Sequence, residues 1–225
     1  MKLKKRLIVA KYNENIEWLT RGNSISGLDI IIYNKLNDLR NHTEYIINDN
    51  RNIDLFNIGR EAHTYIWHIV NNYETLQDVE IFTQGRIDDT VNVDNFWKYI
   101  EDMTSENFTG YMEFSPCIKH IAFDISHWEQ TKSTHPESIH VGYYGDGEKE
   151  FFHRIYNKVP ENKYYTTRAH AIFAVSKELI LRHPKEKYKK LLEICNPVTG
   201  SEDEIISFPY KMEHFWNLLF THPLD

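Results

Sequence analysis

Three short stretches carry residue types whose order suggests chemistry. Asn57-Ile58-Gly59-Arg60-Glu61 stands directly before the strongest helical pattern of the chain. Free backbone N–H groups and the helix dipole at such a start attract negative charge, and Arg60 adds a planar fork that matches a phosphate. One reading is a nucleotide diphosphate cradle. The other is an Asn cap, a turn glycine and an Arg60–Glu61 surface pair, because a single glycine says little about phosphate. The second stretch, Gln84-Gly85-Arg86-Ile87-Asp88-Asp89, follows the apolar run Val79–Phe82. Carboxylates just beyond a strand end would hold Mg²⁺ or Mn²⁺, hard ions that take oxygen ligands and nucleotide phosphates. An acidic turn held by local backbone bonding accounts for the same residues. In the third, Glu213 lies beside an apolar helix face, with Trp216 at i+3 and Asn217 at i+4. Partial burial would suit this carboxylate to general-base work, and a solvated helix carboxylate is the plainer alternative.

Other chemistries find less support. The 12 histidines include no HExxH pair. His63 and His68 are five residues apart, about 140° round a helix, and do not share a face. His135 with His140 and His120 with Asp124 are looser pairs still. There is no GxSxG elbow for a serine nucleophile, and Cys117 and Cys195 stand in no recognisable motif. Trp128, Tyr143 and Tyr144 would either stack a sugar or pack a loop.

The elements that must position these residues are those of an α/β protein. Leu7–Ala10 reads as a buried strand, Ile16–Leu19 as a short helix after it, Leu28–Tyr33 as a β-branched strand and Asp78–Phe82 as another. Strands alternating with helices predict βαβ units and a mostly parallel sheet, whose ligands bind at the carboxyl ends of the strands. From Glu61 to Tyr73, Ala62, Ile66, Ile69 and Tyr73 form one apolar stripe, and Glu61, Tyr65, His68 and Asn72 an adjacent polar one. The segment from about 101 to 167 is polar, aromatic and irregular, as functional loops are. Ala171–Val175 reads as a strand, Ser176 as a helix cap, Pro184 as the N1 residue of a helix through Leu192, and Ser201–Glu204 as a capping box. A last helix over about 210–220 presents Met212, Phe215, Trp216, Leu219 and Phe220 on one wide face.

At 225 residues and 41% hydrophobic content, the chain is long enough for one sizeable core without staples. The formal charge of −7, from 33 acidic against 26 basic residues, provides no overall field for a nucleic acid. Two distant cysteines fit a reducing compartment. The run Leu7–Ala10 is shorter than a signal segment requires, and no 18-residue apolar stretch predicts a membrane span. These features lead us to expect a cytoplasmic protein.

Five ordered segments carry a resemblance: VAKYNENIEWL at 9–19, IIIYNK at 30–35, the stretch from Asn57 to Gly85, the stretch from Ala171 to Glu193, and MEHFWNLLF at 212–220. Through them the chain resembles the uncharacterised domain-of-unknown-function family 3431. That family is similar in turn to nucleotide-sugar glycosyltransferases of GT-A fold. Tyr12-Asn13-Glu14 resembles their entry after the first strand. Asn57 and Gly59 resemble the NxG before their central helix, and Phe173–Ser176 the strand leading to their acceptor side. The resemblance implies one GT-A-like (Rossmann-like) α/β domain over 1–225, with a nucleotide-binding half at 1–100 and an acceptor-side half at 101–225. It implies a nucleotide-sugar donor facing Tyr12, Asn13, Glu14, Asn57, Gly59, Arg60 and Gln84, and a glycan or other hydroxyl acceptor deprotonated by Glu213. The strand ending at Gln84-Gly85 stands where these transferases carry their metal-binding acidic motif, and where the family usually has an acidic residue after Gln-Gly this chain has Arg86. Either Asp88 or Asp89 holds Mn²⁺ or Mg²⁺, or Arg60 and Arg86 stabilise the leaving diphosphate without metal. Arg86 also motivates a rival expectation, a non-catalytic carbohydrate- or protein-binding module on the same scaffold. A metal-dependent phosphate-ester hydrolase is a third.

Overall fold

The computed structural model describes residues 2–36, 52–115, 118–122, 140–143, 145–158, 164–168, 171–196 and 202–221. In chain order the elements are β1 (Lys5–Lys11), a 3-10 helix (Glu17–Ser24), β2 (Leu28–Leu36), β3 (Asn52–Phe56), α1 (Arg60–Asn72), β4 (Val79–Gln84), α2 (Val93–Asp102) and β5 (Tyr111–Glu113). Then follow β6 (Ile118–Ala122), β7 (His140–Tyr143), α3 (Gly145–Tyr156), β8 (Tyr164–Arg168), β9 (Phe173–Ser176), α4 (Lys177–Leu181), α5 (Lys185–Ile194) and α6 (Glu202–Thr221).

The apolar runs at the start of the chain become the centre of a six-stranded sheet of order β3-β2-β1-β4-β9-β5. β3, β2, β1 and β4 run parallel. Leu7, Ile8 and Val9 are fully buried, as a strand covered on both faces requires. β9 enters antiparallel between β4 and β5, so the sheet is mixed rather than mostly parallel. An apolar run announces a strand but not its direction, which depends on the end of the sheet from which the chain returns. β3 and α2 were not singled out by pattern. The 101–167 segment, expected to be irregular, contains β5 and a second sheet of order β7-β6-β8, in which β6 runs parallel to β7 and antiparallel to β8.

Strand alternation divides the core in two. Ile8, Tyr33, Phe82 and Phe173 face the inner sides of α1, α5 and α6, where Tyr65, Tyr188 and Trp216 are buried. Leu7, Val9, Ile81 and Ala174 face α2 and the 3-10 helix, packed by Phe96 and Trp97. α6 starts eight residues before the expected 210 and carries Pro209 inside it. A proline reads as a break, yet Pro209 is buried with Phe208, and packing overrides the propensity. Ser176 caps α4 as expected, its Oγ accepting from Leu179 N at 3.3 Å. Pro184 is the N-cap of α5, one residue before the expected N1 position. Ser201, Cys117, Trp128, Tyr144, His135 and Asp124 lie outside the described residues, as do the side chains of His120, His140 and Tyr143. Among the described residues no helix is long and apolar enough to cross a membrane.

At the amino ends of the strands, α1 and the sheet share a buried polar row. Arg6 on β1 stands between Asp29 on β2 and Glu80 on β4 in register, with Nε 3.1 Å from Asp29 and NH1 3.5 Å from Glu80. Glu80, fully buried, also accepts from Gln77 N at 2.7 Å and meets His68 Nε2 at 3.3 Å. His68 Nδ1 lies 2.8 Å from the Tyr33 hydroxyl. The His68 ring thus bridges Glu80 and Tyr33 through its two nitrogens, so every member has a partner.

Candidate functional site

At the carboxyl ends of the same strands the sheet opens into a cleft of about 450 Å³. β1 leads to Tyr12 and Glu14 on its wall, and β2 contributes Lys35. The β3–α1 turn supplies Asn57, Arg60 and Glu61, and the end of β4 supplies Gln84, Arg86 and Asp89. The two sequence stretches that suggested phosphate and metal chemistry therefore meet across one space. Asn13 is exposed, and neither it nor Gly59, Asp88 and Glu213 is on the wall.

Local packing sets the two loops against each other. Gly85 N donates to Ala10 O at 2.8 Å, and Trp18 Nε1 donates to Gly85 O at 2.8 Å. A Cβ at Gly85 would lie 2.7 Å from Glu14 Oε2, so a larger residue would displace the Glu14 side chain. Glu14 Oε2 itself accepts from Tyr12 N at 2.6 Å.

α1 begins in an unusual way. Gly59 (φ 55°) and Arg60 (φ 46°) are both left-handed, and no side chain caps the helix. Gly59 is required twice over, because a Cβ there would also come 2.7 Å from Cys195 Sγ. For Arg60 this conformation costs about 1–2 kcal/mol, held in place by the surrounding packing. The Arg60 side chain is half-exposed, with its guanidinium 5.2 Å from the Tyr210 ring centre and Nε 3.8 Å from Glu61 Oε2.

Glu61 is not the surface residue that its sequence position suggests: only 6% of it is exposed. Burial, with the nearby charge of Glu213 assisting, pushes its carboxyl up to about 7 against a hydrogen bond from its own backbone N–H and the weaker pull of Arg60 and Lys35. Its Oε1 has no hydrogen-bond partner. Lys35, 4% exposed, donates to Ile58 O at 3.0 Å and lies 3.3 Å from His63 Nδ1. Burial draws its ammonium down to about 7, and burial with the adjacent Lys35 charge holds His63 well below its ordinary range. Cys195 is a buried thiol pushed up to about 12 by desolvation, a packing residue and no nucleophile. Sequence reading missed Glu61 and Lys35 as site residues. The available signal was phase: Lys35 falls on the same strand face as Ile31 and Tyr33, and Glu61 on the helix stripe of Tyr65 and His68, all buried or nearly so.

Arg86 occupies both acidic candidates, 3.1 Å from Asp88 and 3.7 Å from Asp89. Asp89 also accepts from Thr90 Oγ1 at 3.1 Å. No group of three His, Cys, Asp or Glu suited to a metal occurs among the described residues. A divalent ion at Asp88 and Asp89 would compete with the Arg86 guanidinium for both carboxylates.

Fold and site together define a mixed α/β protein with a charged cleft at the carboxyl ends of its parallel strands. The chain belongs to the family described as Protein of unknown function (DUF3431), which matches residues 7–224. It matches no curated protein and no solved structure.

Proposed function

We propose that the chain transfers a sugar from a nucleotide-sugar donor to a glycan or other hydroxyl acceptor, on a GT-A-like fold whose first half binds the nucleotide. The observation that carries this reading is the convergence of Arg60 and Arg86, from loops on either side of β1, at the point where the strand order reverses between β1 and β4. Open α/β sheets bind their ligands at such a switch point, because the loops diverge there and leave a crevice. The N–H groups in the first turn of α1, apart from that of Glu61, which its own carboxyl holds, add donors for an anion. When the bond from the sugar's anomeric carbon to the β-phosphate breaks, charge develops on the departing diphosphate, and two guanidiniums with helix amides would neutralise it without a metal. Arg86 would leave Asp88 and Asp89 to do so, at small loss, because exposed ion pairs are worth about 0–1 kcal/mol. Tyr12, 39% exposed at the rim, offers a ring for the nucleoside.

The test is a thermal-shift screen of UDP, GDP and their sugar conjugates with and without Mn²⁺. A ligand at 100 times its Kd adds about 2.7 kcal/mol of stability. We expect one nucleoside diphosphate to raise the melting temperature without Mn²⁺, and Arg60→Ala to abolish the response. No stabilisation by any nucleotide would end this reading. The neutralised pair Asp88 and Asp89 favours one rival, a binding module without turnover, which would recognise glycan or protein while ignoring every nucleotide.

A further inference from the structure

We propose that Glu61 is the catalytic residue that takes the proton from the acceptor hydroxyl, its carboxyl lining the cleft beside the diphosphate clamp with the inner oxygen, Oε1, left without a donor. This rests on the glycosyl-transfer reading above. The carboxyls of the cleft differ in what they already hold. Glu14 is occupied by Tyr12 N, and Asp89 by Arg86 and Thr90. Glu61 alone among those on the wall combines near-complete burial with an oxygen that nothing donates to. A buried acceptor without a donor is unfavourable, and that disfavours the charged form of the carboxyl and raises its proton affinity. Glu213, the sequence's candidate, is off the wall and only half-buried, and its charge acts on Glu61 from behind.

In the step, the acceptor O–H gives its proton to the Glu61 carboxylate and its oxygen pair forms the bond to the anomeric carbon. The bond from that carbon to the β-phosphate oxygen breaks, and its pair leaves on the nucleoside diphosphate beside Arg60 and Arg86. Glu61 then returns the proton to water.

The surroundings poise the group near neutrality. Arg60 on its own helix and Lys35 from β2 favour the carboxylate. Glu213 from α6 favours the acid, and Glu14, Arg86 and Asp89 face it across the cleft. Tyr65 follows one turn along α1 with its hydroxyl donated to Ala171 O at 2.8 Å. His63 is turned to Lys35, and Cys195 packs behind Gly59. A base with proton affinity matched to the working pH is the efficient one, so the rate should rise as pH passes through about 7.

The experiment uses the full chain, Glu61→Gln and Glu213→Gln, with UDP-glucose, UDP-N-acetylglucosamine and GDP-mannose as probes and water as acceptor. It follows diphosphate release across pH, and binding of UDP and GDP by calorimetry. Glu61→Gln should bind diphosphate within about 2-fold of wild type, lose about 100-fold in release rate, and lose the rise through neutrality. Glu213→Gln should keep the rise of rate with pH, with its midpoint displaced to lower pH because the charge that helps raise Glu61 is gone. Infrared difference spectra across neutrality should show a protonated carboxyl stretch in wild type that is missing in Glu61→Gln. Release by Glu61→Gln at the wild-type rate and midpoint, with diphosphate binding intact, would overturn this assignment and leave the transferase reading standing. If wild type binds neither UDP nor GDP, the transferase reading itself fails and this assignment with it.

Discussion

α1 and the parallel strands hold two buried polar clusters, one at each end, built to opposite standards. At the amino ends, Asp29, Arg6, Glu80, His68 and Tyr33 form a row in which each polar group has a partner. At the carboxyl ends, Lys35 and Glu61 are as deeply buried, yet Glu61 Oε1 has no donor and Arg60 begins the helix left-handed. A satisfied network in low dielectric rigidifies a core, whereas an unsatisfied group in an open cleft keeps binding capacity in reserve. The first cluster fastens α1 to the sheet, and the second faces whatever enters the cleft.

The sharpest way to break this comparison is to remove the centre of the satisfied row. Arg6→Met would strand the fully buried Glu80 carboxylate, and breaking a buried pair by deleting one partner costs roughly 3–5 kcal/mol. Thermal unfolding should drop by about 10 °C, with the ligand response of the cleft retained by the folded protein. A loss below about 1 kcal/mol would show that the two clusters are not of different kinds.

A smaller effect separates Glu61 and Lys35 by pH. Glu61 is raised from 4.5 to about 7 in the folded chain, so the native state keeps a proton that the unfolded state has lost. Its stabilising contribution is therefore full below 4.5 and disappears as pH rises to about 7. Lys35 is lowered from 10.5 to about 7. Its penalty is full below about 7 and is relieved as pH climbs toward 10.5. Together they place the cleft's least favourable contribution near neutrality. Denaturant titrations across pH should show Glu61→Gln gaining on the order of 3 kcal/mol over wild type above pH 7, relative to their difference at acid pH. Lys35→Met should flatten the alkaline rise. A wild-type curve that peaks at neutrality through these two groups would contradict the burial assigned to them.

The smallest expected effect sharpens the contrast from outside. Arg86 and its two carboxylate partners are exposed, so Arg86→Ala should change stability by no more than about 0.5 kcal/mol. Nucleoside diphosphate affinity measured by calorimetry should nevertheless fall by about 10-fold or more. Equal affinity in the variant would remove Arg86 from the clamp.

Legibility in the sequence followed burial. β1, β2 and β4 were readable because strands covered on both faces are nearly continuous apolar runs, and α1 because Ala62, Ile66 and Ile69 keep one stripe. β3 was not, since four of its five residues are only partly buried and its pattern is weak. In the cleft, Arg60 and Arg86 were legible as candidate anion ligands because a guanidinium has one charge state and one shape. Lys35 and Glu61 were not, because their roles come from neighbours far along the chain: Cys195 packs behind the α1 turn, and Glu213 reaches Glu61 from α6.

Residue order alone determined that this chain has an α/β core, an amphipathic α1 and an arginine in each of its two candidate stretches, since periodicity and side-chain chemistry are local properties. Only the tertiary structure decided that β9 runs against its neighbours, that Arg86 covers Asp88 and Asp89, and that Glu61 is buried with an oxygen to spare. Direction, pairing and desolvation depend on which distant segments pack together, and that is a property of the folded whole.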